Sequence, residues 1–283
     1  LHLSRGLGDV YKRQEKKLPQ EVIDNLNEVY NLNAPIYEQF YDYFSNVLVG
    51  DFGPSFRYPG RTVTEMISTG LPVTFELAFY AILFALLIGL LAGTIAALKR
   101  KTFLDYFPMA IAMLGICVPT FLLGPFLVLI FGIYFELLPV SGWDTLPGDK
   151  ILPSITLGAA YAAYIARLGR GGMIEILGQD FIRTARAKGL TETKVVINHA
   201  LQGGILPVVS FLGPAIAGLL AGSFVVETIF QIPGLGKFYV EAAFNRDYTM
   251  ILGTTIFFSA MIIFFNLVSD ILVLILNPRA RDS

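Results

Sequence analysis

Five apolar runs, each long enough to cross a bilayer, leave this chain few folds to choose from. They lie at about Leu71–Leu98, Phe107–Ile133, Ile151–Leu168, Ile205–Val226 and Met250–Leu276, and a hydrocarbon core needs about 20 such residues per helix. In lipid every backbone N–H and C=O must be paired inside the segment, so runs of this length predict helices. Charged residues make up 15% of the 283 and hydrophobic ones 54%; soluble domains carry about 25% charged residues. The chain is therefore expected to be an all-α polytopic membrane domain. Pro119 and Pro125 lie inside the second run and predict a kink or an unwound turn there.

Charge placement orients the runs, since the net charge of −1 says little by itself. Lys99, Arg100 and Lys101, the loop Gln179–Pro207, and Arg279 with Arg281 must share one side. The opposing segments carry Glu136, Asp144, Asp149, Glu227, Glu241 and Asp247. The basic side, with the C-terminus, is expected to face the cytoplasm. Five spans that end inside begin outside, so residues 15–70 should be extracytoplasmic, after a first membrane helix that this sequence lacks. Within them Leu18–Tyr30 predicts a short helix with Val22, Leu26 and Val29 on one face, and Gly50–Arg61 an irregular stretch. Residues 1–14 have no signal-peptide core and read as a non-native leader. Residues 71–283 then form the transmembrane domain. The bilayer is its solvent, and no nucleic-acid partner is expected.

The loop Gln179–Pro207, QDFIRTARAKGLTETKVVINHALQGGILP, is the polar, basic and helical exception among the spans. A loop of this length is more often functional than a plain connector. Phe181, Ala185 and Lys188 recur at helical spacing, Gly189 stops a first short helix, and Thr191 caps a second. A helix, a glycine turn and a second helix on the basic side form a docking surface for a cytosolic protein.

This string resembles the EAA-type loop of ABC importer permeases, whose short helix sits in a groove of the ATPase. Arg183-Thr184-Ala185 stands where Glu-Ala-Ala is usual, and Gly189 follows at the family's distance. The usual Pro of the ending falls at Gln202, and the nearest Leu-Pro is Leu206-Pro207, a departure similar to the dipeptide and oligopeptide branch. The resemblance implies ATPase docking through Arg183, Ala185, Arg186, Lys188, Gly189, Leu190, Glu192 and Leu201.

Between the last two spans stands VVETIFQIPGLGKFYVEAAFNRDY, residues 225–248. Gly234-x-Gly236-Lys237 is not a phosphate loop, because Gln231 and Phe238 occupy the places of its first Gly and its Ser or Thr. Pro233-Gly234 reads as a tight turn before a short helix. The string resembles the peptide-permease signature, which implies an outer cap of the translocation path facing a docked binding protein. Glu227, Pro233, Gly234, Gly236, Arg246 and Asp247 are its candidate contacts; the other reading of Arg246 and Asp247 is an ion pair that holds the loop.

Gly89-x-x-x-Gly93 and Gly218-x-x-x-Gly222 both read GLLAG and predict close helix packing, within the chain or at a seam with a second subunit. Glu76 and Asp270 sit near opposite interfaces, which favours snorkelling or structural pairing over a mid-membrane relay. Cys117 is expected to be a small apolar packing residue, and His199 a polar residue of the docking loop. No histidine, cysteine or carboxylate spacing suggests a metal, and no catalytic residue is expected.

Over nearly the whole chain the sequence is similar to the B-type permease subunit of bacterial oligopeptide importers. The resemblance implies a six-span fold in the complete protein, in the bacterial cytoplasmic membrane. It further implies a homologous second permease, two cytosolic ATPase subunits that bind ATP and Mg, an extracytoplasmic peptide-binding protein, and no cofactor on this chain. Nickel and glutathione importers share the architecture; a secondary transporter would need no basic loop.

Overall fold

The computed structural model describes residues 33–58 and 60–276, together with Asp24 and Asn27. The leader at 1–14, most of the helix expected at 18–30, and Arg279 and Arg281 lie outside the described residues. The elements in order are α1 (Ile36–Leu48), α2 (Val63–Leu98), α3 (Phe103–Cys117), α4 (Thr120–Leu127, continued by π turns to Tyr134) and α5 (Ile151–Leu177). Next come α6 (Asp180–Ala187), α7 (Glu192–Val195), α8 (Leu201–Gly204), α9 (Leu206–Ile229), α10 (Leu235–Asn245) and α11 (Tyr248–Leu276).

Four helices, α2, α5, α9 and α11, are each long and apolar enough to cross a membrane, and α3 with α4 forms a fifth candidate bent by 110°. The bend falls at Val118-Pro119, with Pro119 at the N-cap of α4. Proline disfavours the helical conformation for the residue before it, and Val118 takes an extended one. Pro125, by contrast, lies inside α4 without breaking it. The bent pair crosses with its neighbours. Asp105 at its start pairs with Arg170 near the basic end of α5, and after its end the Gly142 N–H donates to Phe230 O at the opposite, acidic end.

Two span ends differ from the sequence expectation. The first span begins at Val63 rather than Leu71, because Thr62 and Glu65 close a capping box: each side chain accepts from the other's backbone N–H, at 3.1 and 3.2 Å. The third span runs to Leu177 rather than Leu168; Arg167 and Arg170 lie within it and do not end it. The described residues of Gly50–Arg61 form no helix, and Pro54 bridges to Thr62.

α5 is the hub, with α2, α3, α4, α8 and α9 all packed on it. Small residues set its distance from α2. A Cβ on Gly89 would fall 2.7 Å from Ala162 O, one on Gly93 2.5 Å from Ala166 O, and one on Gly158 2.6 Å from Ala81 O. The first GLLAG is thus an internal packing site. In the second, Gly218 faces the Tyr161 hydroxyl while Gly222 faces open space. Cys117 is exposed at the helix break, not packed as expected, since α3 ends there and none of the described residues covers it.

Candidate functional site

At the basic end, α5 delivers the chain into a compact helix–turn–helix. Gly189 separates α6 from α7 at φ +78°, while a Cβ there would meet nothing within 4 Å. The glycine answers a backbone requirement, not crowding. Beneath the turn Ile182, Ala185, Val195, Val196 and Ala200 pack with Met173 of α5 and Ala97 of α2. The inward face therefore runs through Ile182 and Ala185. Phe181 and Lys188, which recur with Ala185 at helical spacing, are exposed. Thr191 holds the N-cap position of α7 but makes no side-chain capping bond.

Of the eight residues assigned to docking, Ala185 is buried and Leu190 and Leu201 are half-buried, so these prop the unit from within. Arg183, Arg186, Lys188, Gly189 and Glu192 lie on its surface. Arg186 grips Glu192 with two bonds, Nε to Oε2 at 3.1 Å and Nη2 to Oε1 at 2.5 Å. The hydrogen bond from Arg186 holds the Glu192 carboxyl below its ordinary range, and its reciprocal raises Arg186. His199 is exposed on the same unit.

The acidic end is built on two buried carboxylates. Glu227, near the end of α9, is fully buried. Its Oε1 accepts from Thr74 Oγ1 of α2 at 2.8 Å, and its Oε2 from the Lys237 N–H at 2.9 Å. Thr74 Oγ1 in turn accepts the Leu235 N–H at 2.9 Å. The first turn of α10 thus points unsatisfied N–H groups at a carboxylate and its hydroxyl relay, where a helix N-terminus favours negative charge. Gly236 lets that turn approach: a Cβ there would fall 2.6 Å from Phe224 Cα. Gly234 is the N-cap of α10, after Gln231 reverses the chain at φ +56°.

Asp247 accepts from the Ser55 hydroxyl and from the N–H groups of Phe56 and Met250, at 3.2 and 3.1 Å for the latter two. It ties the 54–58 turn to the start of α11. The expected Arg246–Asp247 ion pair does not form. Arg246 is exposed at φ +58°, closing α10 in the left-handed conformation, and the carboxylate is already satisfied by neutral donors.

Glu76 has a structural partner, as one reading of its position expected. Lys150 bridges it and Asp144 at 2.5 and 2.6 Å, and Trp143 Nε1 donates to Glu76 at 3.2 Å. Asp144, with Glu76 behind it, holds the Lys150 ammonium above its ordinary value. A recess of about 760 Å³ lies beside this cluster. Asp270 is exposed near the other end.

Sequence reasoning missed a second membrane ion pair. Arg170 meets buried Asp105 with two bonds of 2.5 and 2.9 Å, and Asp105 also accepts the Lys101 N–H at 2.9 Å. The signal was an aspartate just past a basic cluster and an arginine inside an apolar helix, 65 positions apart. Among the described residues no three potential ligands gather as a metal site. The arrangement offers surfaces and tethers rather than reactive groups.

Residues 85–282 match the family model described as binding-protein-dependent transport system inner membrane component. The chain is 44% identical to the oligopeptide transport system permease protein OppB of Haemophilus influenzae, over 94% of this chain and 88% of that one. It is 42% identical to the dipeptide transport system permease protein DppB of Bacillus subtilis, over 95% and 87% respectively. Among solved structures, an inward-facing MetNI methionine ABC transporter chain superposes with TM-score 0.63 at 18% identity, covering 75% of this chain and 96% of its own. An amino acid ABC transporter chain gives 0.57 at 17%, covering 74% and 94%. These two show a shared fold.

Proposed function

The chain belongs to the family of inner membrane components of binding-protein-dependent transport systems, and on that premise we infer that it is the membrane-spanning permease subunit of an ATP-driven importer of oligopeptides or dipeptides. The observation that carries the reading is the extent of its likeness to oligopeptide and dipeptide permeases, 44% and 42% identity over nearly the whole chain. The basic end faces the cytoplasm, where α6, the Gly189 turn and α7 seat in a groove of an ATPase subunit. A homologous permease, two ATPases that bind ATP and Mg, and an extracytoplasmic peptide-binding protein complete the importer. Of the residues assigned to it, the cap of α10 presents exposed Pro233 and Arg246 to that binding protein, while buried Glu227, Gly234, Gly236 and Asp247 hold the cap in place.

Coupling follows from how the parts are joined. The α6–α7 unit is packed on α5 through Met173, and α5 on α2 through glycines that leave no slack. Closure of the ATPases therefore moves α5 and α2 with the docking unit. At the far end Thr74 of α2 and Glu227 of α9 join both helices to α10, so the cap feels the same displacement. Alternation between an outward and an inward opening is the result.

The test is ATP-dependent peptide uptake by the reconstituted importer carrying Gly189→Asp. Aspartate tolerates the left-handed conformation better than most residues, and a Cβ at this position meets nothing in the chain. The variant should insert and assemble, yet lose uptake by about tenfold or more, because the new carboxylate stands in the docking surface. Full uptake with this variant would remove the docking role.

A further inference from the structure

α5 is covered on most of its circumference, and the stripe it leaves open carries Tyr164, Arg167 and Gly171. α9 flanks the stripe on one side, with Phe211 5.8 Å from the Tyr164 ring. α3 flanks it on the other, where Asp105, Tyr106, Met109 and Met113 enclose a recess of about 290 Å³ with Arg167 and Arg170. The two arginines of this recess differ. Arg170 is neutralised by Asp105. Arg167 is exposed and meets Met113 Sδ at 3.8 Å, and among the described residues no carboxylate lies within ion-pairing distance of it.

Its depth makes that charge informative. Arg167 lies 16 residues beyond the start of α5, about 24 Å along a helix rising 1.5 Å per residue, and so inside a hydrocarbon layer of about 30 Å. A lipid-facing arginine at this level would bend toward the nearer, basic end. Arg167 instead reaches for Met113, eight positions further into the bilayer along α3 than Asp105. An intramembrane cation of this kind faces a water-filled path or a ligand rather than lipid.

We propose that Arg167 is an anchor for the C-terminal carboxylate of the transported peptide, held in the recess between α3 and α5 on the cytoplasmic half of the path. This rests on the reading of the chain as a peptide permease. Whatever its sequence, a linear peptide presents one terminal carboxylate, so a single fixed guanidinium serves substrates of varied side chains. Guanidinium–carboxylate bonding is directional and charge-assisted, while the thioethers of Met109 and Met113 adapt to whatever side chain lies beside it.

The experiment compares a labelled tripeptide with its C-terminal amide, in the complete importer reconstituted in vesicles of phosphatidylcholine and phosphatidylglycerol. Arg167→Gln should lower uptake of the acid about tenfold and leave the amide unchanged, with Arg167→Lys recovering part of the loss. Because a binding protein can refuse the amide, both peptides are also titrated onto the purified, vanadate-trapped importer without it. There the wild type must prefer the acid, and Arg167→Gln must abolish the preference. Equal losses for both peptides, or an unchanged acid-to-amide preference, would overturn the proposal and give Arg167 to the assembly of the subunits. An effect that disappears in pure phosphatidylcholine vesicles, which keep a phosphate but lose the net negative headgroup, would give it to an anionic lipid and overturn the proposal equally. A wild-type importer that moves neither peptide with ATP would instead defeat the permease reading itself.

Discussion

The two ends of the bundle each carry short helices beyond a span, yet different forces hold them. At the acidic end the first turn of α10 is fixed by directional bonds to buried Glu227 and Thr74, and Asp247 pins the neighbouring turn. At the basic end α6 and α7 rest on an apolar cluster, with an exposed Arg186–Glu192 pair across the glycine turn. Hydrogen bonds to a buried carboxylate specify one geometry, and losing them leaves unmatched polar groups. Apolar contact is non-directional, so the basic-end unit has more freedom to roll on α5 while staying attached. An importer of this design would take its mechanical input through the softer end and pass it to a cap held in fixed register with α2 and α9.

The largest effect that could break this contrast is expected at Glu227. Replacement by Ala strips the acceptor from the Thr74 hydroxyl and the Lys237 N–H, at about 1–3 kcal/mol for each buried donor left unpaired. The melting temperature of the purified protein should fall by roughly 5–10 °C, with Glu227→Gln falling less. A loss no larger than that of a surface substitution would show that the cap is not held by its carboxylate. An intermediate effect is expected from Ile182→Val, which removes one methylene from the apolar cluster and should cost about 1 kcal/mol. Uptake should fall only slightly, and complete loss would mean that the basic-end unit is as rigidly specified as the cap.

The smallest effect belongs to the ion pair. Glu192 has its native pKa held below the ordinary 4.5 by the bond from Arg186. Its contribution is therefore complete above that value and lost as pH falls through the lower native one. With both side chains substantially exposed it amounts to about 0.5 kcal/mol at most. Amide hydrogen exchange over 180–201 should be slower at pH 7 in the wild type than in Glu192→Gln once intrinsic rates are corrected. The difference should shrink as pH falls below 4.5 and vanish once the carboxyl of the native state is protonated. A difference that persists then would assign the order of the turn to something other than this pair.

The legible parts of the molecule were those written locally. Apolar run length set five crossings, and the turn at Gly189 followed from a glycine between two short helical patterns. The start of α2 was also locally written, in Thr62-x-x-Glu65, but the apolar run that follows eight residues later masked it. The end of α5 was not written locally. Arg170 remains in the span because Asp105, on another helix, neutralises it, and hydropathy counts one segment at a time. In the same way Asp247 stands next to Arg246 in sequence, and the fold gives it Ser55, Phe56 and Met250 instead.

The two GLLAG strings mark the division between what each level decides. Sequence determined that both lie on apolar helices with glycines one turn apart, since helical period and residue size are properties of the segment itself. Tertiary structure alone decided that Gly89 and Gly93 lie against the α5 backbone while Gly222 meets open space. Which surface approaches a glycine depends on how whole helices cross, and that is set by all their contacts together.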